Sequence, residues 1–459
     1  MKYLSTRGTK VDSFKDVLMQ GLANDGGLFV PDYWPKIDVN SIHSNIDYSD
    51  LTFKVISEFI GDDISDSDLM NIIKSSYNEN FSKTDPVTFK SLSNKEIIIE
   101  LFNGPTFAFK DFAMQLLIPI FDHFLNIENK KMNLIVATSG DTGSAAINAV
   151  NKSKNLNIFC LYPKNRISEF QRRQMSTVKN NQVHLFEIDG TFDDCQNIVK
   201  TILSDLEFSK KNSISAVNSI NWARVMIQAV YYFYSALRHD DGKGSYNFSV
   251  PTGNFGDVYA GYISKKMGLN INKLIVATNE NDILDRFLKS GEYATAKVLK
   301  TTSPSMDIQV ASNFERFLFD LLDCSPELTN EKMNDLKNTG KISITEEQLE
   351  KAQSLFLSKK ATMQDVNETI LDVYKNNSYL LDPHTAIGLF ASRKQLDTNE
   401  NNFILGTAHP IKFMKTVEEA ISDKLDLQDD HKSLFNEVEN ITSLDNDVEL
   451  MKNEILQKS

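Results

Sequence analysis

Residues 100–112 read ELFNGPTFAFKDF, and the rest of the chain is organised around them. A β-branched run, Ile97 to Ile99, leads in, Gly104-Pro105 turns the backbone, and Lys110 stands just before a long amphipathic segment. Phe107, Phe109 and Phe112 flank that lysine. Apolar rings disfavour an ammonium and pull its pKa down. An amine that is partly neutral near neutral pH forms an imine with an aldehyde. The alternative for this stretch alone is a surface lysine whose stem snorkels past its aromatic neighbours.

Outward from this stretch the pattern is strand, loop, helix, repeated. A strand over 97–101 leads to a helix over 111–125, which Pro119 is expected to kink. Further strands are predicted at 134–137, 158–161, 183–188, 248–251, 274–278 and 403–405. Helices at 142–152, 169–177, 192–206, 222–237 and 258–267 alternate with them. Such alternation argues an α/β fold with parallel sheets covered on both faces.

Residues 1–92 read as a separate N-terminal unit with a packing or lid role. Phe14, Val17, Leu18 and Leu22 keep helical spacing, a stop falls near Gly21, and DGGLFVP at 25–31 is a tight turn into an extended segment. Two more helices are expected at 51–60 and 69–77. A catalytic unit of two α/β subdomains spans 93–425. Within it 325–378 is charged, helically periodic and poor in glycine, and reads as a helical insertion. Residues 426–459 read as an acidic tail, helical or partly disordered. There is no repeat of solenoid period.

Composition narrows the function. The chain has 459 residues, 41% apolar and 24% charged, which is ordinary for globular domains. A net charge of −13 argues against nucleic-acid or anionic-membrane partners, so an anionic substrate needs a local basic pocket. No apolar stretch is long enough to span a bilayer, and MKYLSTRGTK lacks a signal-peptide core. Cys160, Cys195 and Cys324 are few and far apart, which fits a reducing, cytoplasmic compartment without a disulfide framework. No His or Cys cluster has metal-ligand spacing, so no metal is expected.

In open α/β sheets ligands bind beyond the C-terminal ends of strands. Four loops take that position. The first carries Lys110. The second, TSGDTG at 138–143, offers Ser139, Asp141 and Thr142 at a helix N-terminus, a place suited to a carboxylate or phosphate. Asp141 or Thr142 serves equally well there as a plain N-cap. The third, PTGNFGD at 251–257, has two glycines three apart that let successive N–H groups face one anion. It lacks the ending of a nucleotide P-loop, and the alternative is a tight turn with glycine at positive φ. The fourth, GTAHP at 406–410, puts the Thr407 hydroxyl at a strand end, where turn chemistry is the alternative. His409 and His384, each beside a proline, read as structural. An amine nucleophile, an anion cradle without a nucleotide signature and a second polar helix start together suggest pyridoxal phosphate (PLP).

Several long motifs then occur in order: STRG, GLANDGGLFVP, ELFNGPTFAFKDF, TSGDTGSAA, NSINWARV, VPTGNFGDVYAG and LGTAHPIKF. With these the chain resembles the threonine synthase family, in its long fungal and bacterial form, over nearly its whole length. The resemblance implies a fold-type II PLP enzyme, tryptophan synthase β-like, with two open, mostly parallel sheets plus an N-terminal domain. It implies Lys110 as the cofactor-bearing lysine and proton shuttle, and Gly253, Asn254, Phe255, Gly256 and Asp257 as the cradle of the cofactor phosphate. It places Thr407 at the pyridine nitrogen and Ser139, Asp141 and Thr142 around the substrate carboxylate and the cofactor edge.

The implied reaction converts O-phospho-L-homoserine and water to L-threonine and phosphate, by γ-elimination and β-addition of water. For the departing phosphate the candidates are Arg224 and Lys412, and after them Lys164 or Arg166, with ordinary surface charge as the alternative. Two rival functions stand beside this one. One is a PLP-dependent phospho-lyase releasing a 2-keto acid; the other is a non-catalytic homologue that only binds. The expected partner is a small-molecule substrate, and the expected state a monomer or small homo-oligomer.

Overall fold

The isoleucine run forms the strand Glu96–Glu100, in which Ile97, Ile98 and Ile99 are buried. Ile97 and Ile99 enter one core and Ile98 another, as the period of two along a strand requires. The computed structural model describes every residue except 84, 397–400 and 426–428. In it this strand belongs to a six-stranded sheet with the order Phe356–Lys360, Ile271–Thr278, Tyr246–Pro251, Asn402–Gly406, Glu96–Glu100, Thr88–Ser91. All pairs are parallel except the last. A five-stranded sheet, parallel throughout, has the order Thr442–Asp445, Val183–Asp189, Leu156–Pro163, Met132–Ala137, Ile214–Ala216. Apolar cores lie on both faces of each sheet, and helices supply their other walls. This is the fold that the alternating pattern predicts.

The helix that begins at Lys110 runs to Glu128, and Pro119 lies inside it without ending it. Its base is set by the N-terminal unit. The Tyr77 hydroxyl donates to the Phe112 carbonyl at 2.9 Å, and the Tyr48 and Tyr77 rings meet the Phe112 ring at centroid distances of 5.5 and 6.4 Å. Phe112 therefore anchors the helix in the shared core instead of flanking the lysine. The helices Tyr48–Ile60 and Trp222–Asp240 continue the same core. The N-terminal unit also holds a three-stranded antiparallel sheet, Lys10–Val11, Tyr3–Ser5, Phe29–Pro31, whose strands are too short for a periodic signal.

Two expectations are corrected. Residues 325–378 are not wholly helical. After the helices Pro326–Thr339 and Glu346–Leu355 the strand Phe356–Lys360 forms the edge of the six-stranded sheet, and Lys341–Ser343 pairs with Glu292–Ala294. The edge strand follows its helix with no Gly or Pro between, so the sequence carries no punctuation there. The acidic tail holds helix as expected, over Val448–Lys458, but it is also packed into the fold and carries a strand, although its residues 426–428 lie outside the described residues. Thr442–Asp445 extends the five-stranded sheet, and Met451 and Ile455 of the helix Val448–Lys458 are buried against it. An edge strand of alternating burial and a helix with two buried apolar residues leave little signal in sequence.

Candidate active site

Parallel pairing of Glu96–Glu100 with Asn402–Gly406 delivers two of the four loops side by side. They are laced together by backbone bonds: Leu101 N–H to Gly406 O at 2.9 Å, Phe109 N–H to Thr407 O at 2.9 Å and His409 N–H to Phe107 O at 3.0 Å. Thr407 and Lys110 are thus held in register by the sheet that precedes them. Asp111 clasps the turn, accepting from Thr106 N–H at 2.8 Å and from the Thr106 hydroxyl at 2.7 Å. A Cβ at Gly104 would stand 2.5 Å from that of Asp111, so glycine is required there.

Lys110 is buried, its Nζ 4.4 Å from the Phe109 ring centre and 3.5 Å from Asp141 Oδ2. Burial lowers its pKa, Asp141 opposes that, and Arg224 and Lys412 add to it. Asp141 opens the helix Asp141–Val150. Its Oδ1 accepts from Gln171 at 2.8 Å and lies 2.9 Å from Lys412 Nζ. Burial works against its charge, but Lys412 and Lys110 outweigh burial and hold it well below the ordinary carboxylate range. It is therefore an ionised carboxylate between two lysines.

The third loop follows Tyr246–Pro251 and opens the helix Gly256–Lys266. Its left-handed residue is Phe255, at φ 65°, while neither glycine has positive φ. Gly253 is needed for close approach instead: a Cβ there would lie 2.8 Å from Ser305 O. Asn254 shapes the curl, accepting from Gly256 N–H at 2.9 Å and donating to Ser219 at 2.8 Å. The Asp257 carboxyl points at two tyrosines, accepting from Tyr231 at 2.6 Å and Tyr232 at 3.1 Å. Burial raises it to about 6 against those hydroxyls.

One cavity is lined by Lys110, Asp141, Arg224, the whole stretch 251–257, His384 and Thr407. Three buried polar atoms of these wall residues have no hydrogen-bond partner among the described residues: Arg224 Nε, Asp257 Oδ2 and His384 Nε2. A glycine-lined curl at a helix start, a lysine and unpaired polar atoms on one wall suit a phosphorylated aldehyde with a polar ring. An adjoining cavity shares Lys110, Ser219, Arg224, Asn254 and Ser305 with the first, and adds Ser139, Thr142, Lys200 and Asn218. Arg224 donates to Thr142 Oγ1 and to Val217 O, both at 3.2 Å, and burial lowers it to about 10.

The four loops are thus brought together as expected, but two groups of cations are placed otherwise. Lys412 is inaccessible, and its ammonium meets Asp141, Thr106 O at 2.7 Å and Gln174 Oε1 at 3.1 Å, which occupies all three donors. Arg166 lines a larger outer cavity of about 1080 Å³ instead, and the half-exposed Lys164 lies 3.9 Å from Glu187. His409 is structural, its Nδ1 accepting from Ile411 N–H at 3.2 Å. His384, read as structural, reaches the cavity after all, with Nδ1 2.9 Å from Asp382. Sequence reading also missed Gln171, Ser305, Tyr231, Tyr232 and Lys200. They come from helices and a turn that carry no loop motif.

A lysine at a helix head, facing a curl at a parallel strand tip, defines a pyridoxal-phosphate-dependent enzyme of fold-type II. Comparison with known proteins agrees: residues 89–404 match the family "Pyridoxal-phosphate dependent enzyme", 2–77 match "Threonine synthase N terminus", and 385–455 match "Threonine synthase, C-terminal". The threonine synthase of Pseudomonas aeruginosa is 45% identical over 92% of this chain and 90% of its own. That of Saccharomyces cerevisiae is 41% identical over 99% and 97%. The crystal structure of a PLP-bound threonine synthase from Brucella melitensis superposes with a TM-score of 0.94 at 40% identity, covering 100% of this chain and 99% of that one. The chain belongs to the threonine synthase family.

Proposed function

We propose that the enzyme converts O-phospho-L-homoserine and water to L-threonine and inorganic phosphate in the cytoplasm, as a monomer or small homo-oligomer. The observation that carries this reading is the pair of adjoining cavities that share Lys110 and Arg224, one with an anion cradle, the other with one further cation, Lys200, and several hydroxyls. Lys110 and the N–H groups of 253–257 would hold PLP, with Thr407 at its ring nitrogen. Bound there, it supplies an aldehyde that forms imines and a ring that takes up electrons as protons leave the substrate's carbons.

The chain's own residues do the rest. With substrate bound, Lys110 would take the protons that leave Cα and Cβ and return one at Cγ as phosphate departs; it would then take the proton of the water that adds its hydroxyl at Cβ and return one to Cα. Its burial favours the neutral amine this needs. Asp141 stays charged beside it and steadies the cationic form between transfers. Thr142 and Ser139 bind the substrate carboxylate, and Arg224, already bonded to Thr142, reaches the phosphate end. The Thr407 hydroxyl carries no charge and so does not force a proton onto the ring nitrogen.

The test is product analysis of the PLP-loaded enzyme with phosphohomoserine. Threonine and phosphate in equal amounts support the reading. Release of 2-oxobutyrate would favour a phospho-lyase, and neither product would favour a binding protein.

A further inference from the structure

The cavity beside Lys110 has three charged residues on its wall, Lys110, Lys200 and Arg224, and no carboxylate. In a chain of net charge −13 that is a local reversal of sign. Lys200 stands on the helix Phe192–Ser204, whose Phe192, Gln196, Val199 and Lys200 face the cavity at helical spacing. Lys110 is committed to the cofactor, and Lys412 has every donor engaged. Arg224 has two donors tied and Nε open. Lys200 has no hydrogen bond or ion pair among the described residues, and it is exposed to solvent. Two carboxylates act on it through space, Asp193 of its own helix most strongly and then Glu315; Asp193 makes no ion pair with it among the described residues, and Glu315 is already paired with Arg7 at 3.0 Å.

We propose that Lys200 receives the phosphate of the substrate, together with Arg224, and so sets the preference for a phosphorylated amino acid. This rests on the function proposed above. The two cations approach the anion from different elements: Arg224 from the helix Trp222–Asp240 and Lys200 from Phe192–Ser204. Lysine acts as a point charge on a long stem, suited to a group that leaves after the reaction. Deleting one such charge-assisted contact weakens binding by about tenfold to hundredfold.

The experiment uses the PLP-loaded enzyme, whose cofactor site is filled, with Lys200→Met, Lys200→Gln and Lys200→Arg. Three quantities are measured: KM and kcat for phosphohomoserine, competitive inhibition by inorganic phosphate, and binding of L-2-aminobutyrate followed by the cofactor absorbance. Aminobutyrate has the same four carbons, amine and carboxylate but no phosphate. The expected result for Met and Gln is a rise of about tenfold to hundredfold in KM and in the phosphate inhibition constant. Affinity for aminobutyrate stays at the wild-type value, and Arg restores most of the loss. Wild-type phosphate inhibition in the Met and Gln variants overturns the proposal, and so does an equal loss for aminobutyrate. If wild-type enzyme makes no threonine, the function reading fails, while phosphate binding to the same proteins, read by titration calorimetry, still decides the role of Lys200.

Discussion

Arg224 and Arg316 are both buried, and burial lowers both to about 10. Their donors end in different places. Arg316 donates to Phe29 O at 2.9 Å, Ile220 O at 2.6 Å, Ser219 O at 3.4 Å and the Asn313 side chain. It lies 5.8 Å from the Trp222 ring centre and ties the N-terminal sheet to the catalytic unit. Arg224 donates to one carbonyl and one hydroxyl, and keeps Nε open among the described residues. A buried cation whose donors all end on protein is a fastening. One with an open donor beside a cavity is built for an anion, because a buried unpaired donor is otherwise destabilising. The same contrast separates the cavity wall, whose Arg224 Nε, Asp257 Oδ2 and His384 Nε2 have no partner among the described residues, from Arg316 itself, which has no unpaired side-chain atom among them.

The contrast predicts effects of graded size. Lys110→Ala, on the cavity wall, should abolish the imine absorbance and lower turnover by about 10⁴-fold or more, with little change in thermal stability. Absorbance, turnover and Tm are the readouts, and retained turnover would refute the role of this lysine. Arg316→Met should act in the opposite sense, lowering unfolding free energy by about 3 kcal/mol as buried carbonyls lose their donors. Arg224→Met should change stability by no more than about 1 kcal/mol, yet raise KM for phosphohomoserine about tenfold or more. Urea unfolding beside steady-state kinetics separates the two, and equal destabilisation by both would erase the comparison.

Asp257 sharpens the contrast through pH. Its folded value, about 6, lies above the unfolded value of about 3.9, so its stabilising contribution is complete below about pH 4 and disappears as pH rises through 6. Asp257→Asn should therefore gain about 3 kcal/mol relative to wild type between acid and neutral pH, measured by urea unfolding at each pH. A difference independent of pH would show that the carboxyl is not held neutral by its burial. The smallest effect concerns packing at the curl. Gly253→Ala places a Cβ 2.8 Å from Ser305 O, and PLP affinity, followed by titration of the apoenzyme, should fall about tenfold.

Much of the site is legible in the chain because it sits in loops marked by Gly, Pro, Ser and Thr at strand ends. Lys110, 138–143, 251–257 and Thr407 are all of this kind, and the structure brings them to one place. The left-handed turn at Phe255 was not legible, since a non-glycine residue at φ 65° is held there only by its surroundings. Nor were Tyr231 and Tyr232, whose place in an apolar helix looks like ordinary core until Asp257 is laid against them.

By itself the sequence determined the strand–loop–helix alternation, the reactive lysine and the glycine curl, because each depends on neighbours within a few residues. Tertiary structure alone decided which cations are free and which are used. Lys412 is consumed by Asp141, Thr106 and Gln174, more than two hundred residues away in the chain, and Lys200 is left open to the cavity. Pairing of charges is settled by proximity in space, and nothing local in the chain encodes it.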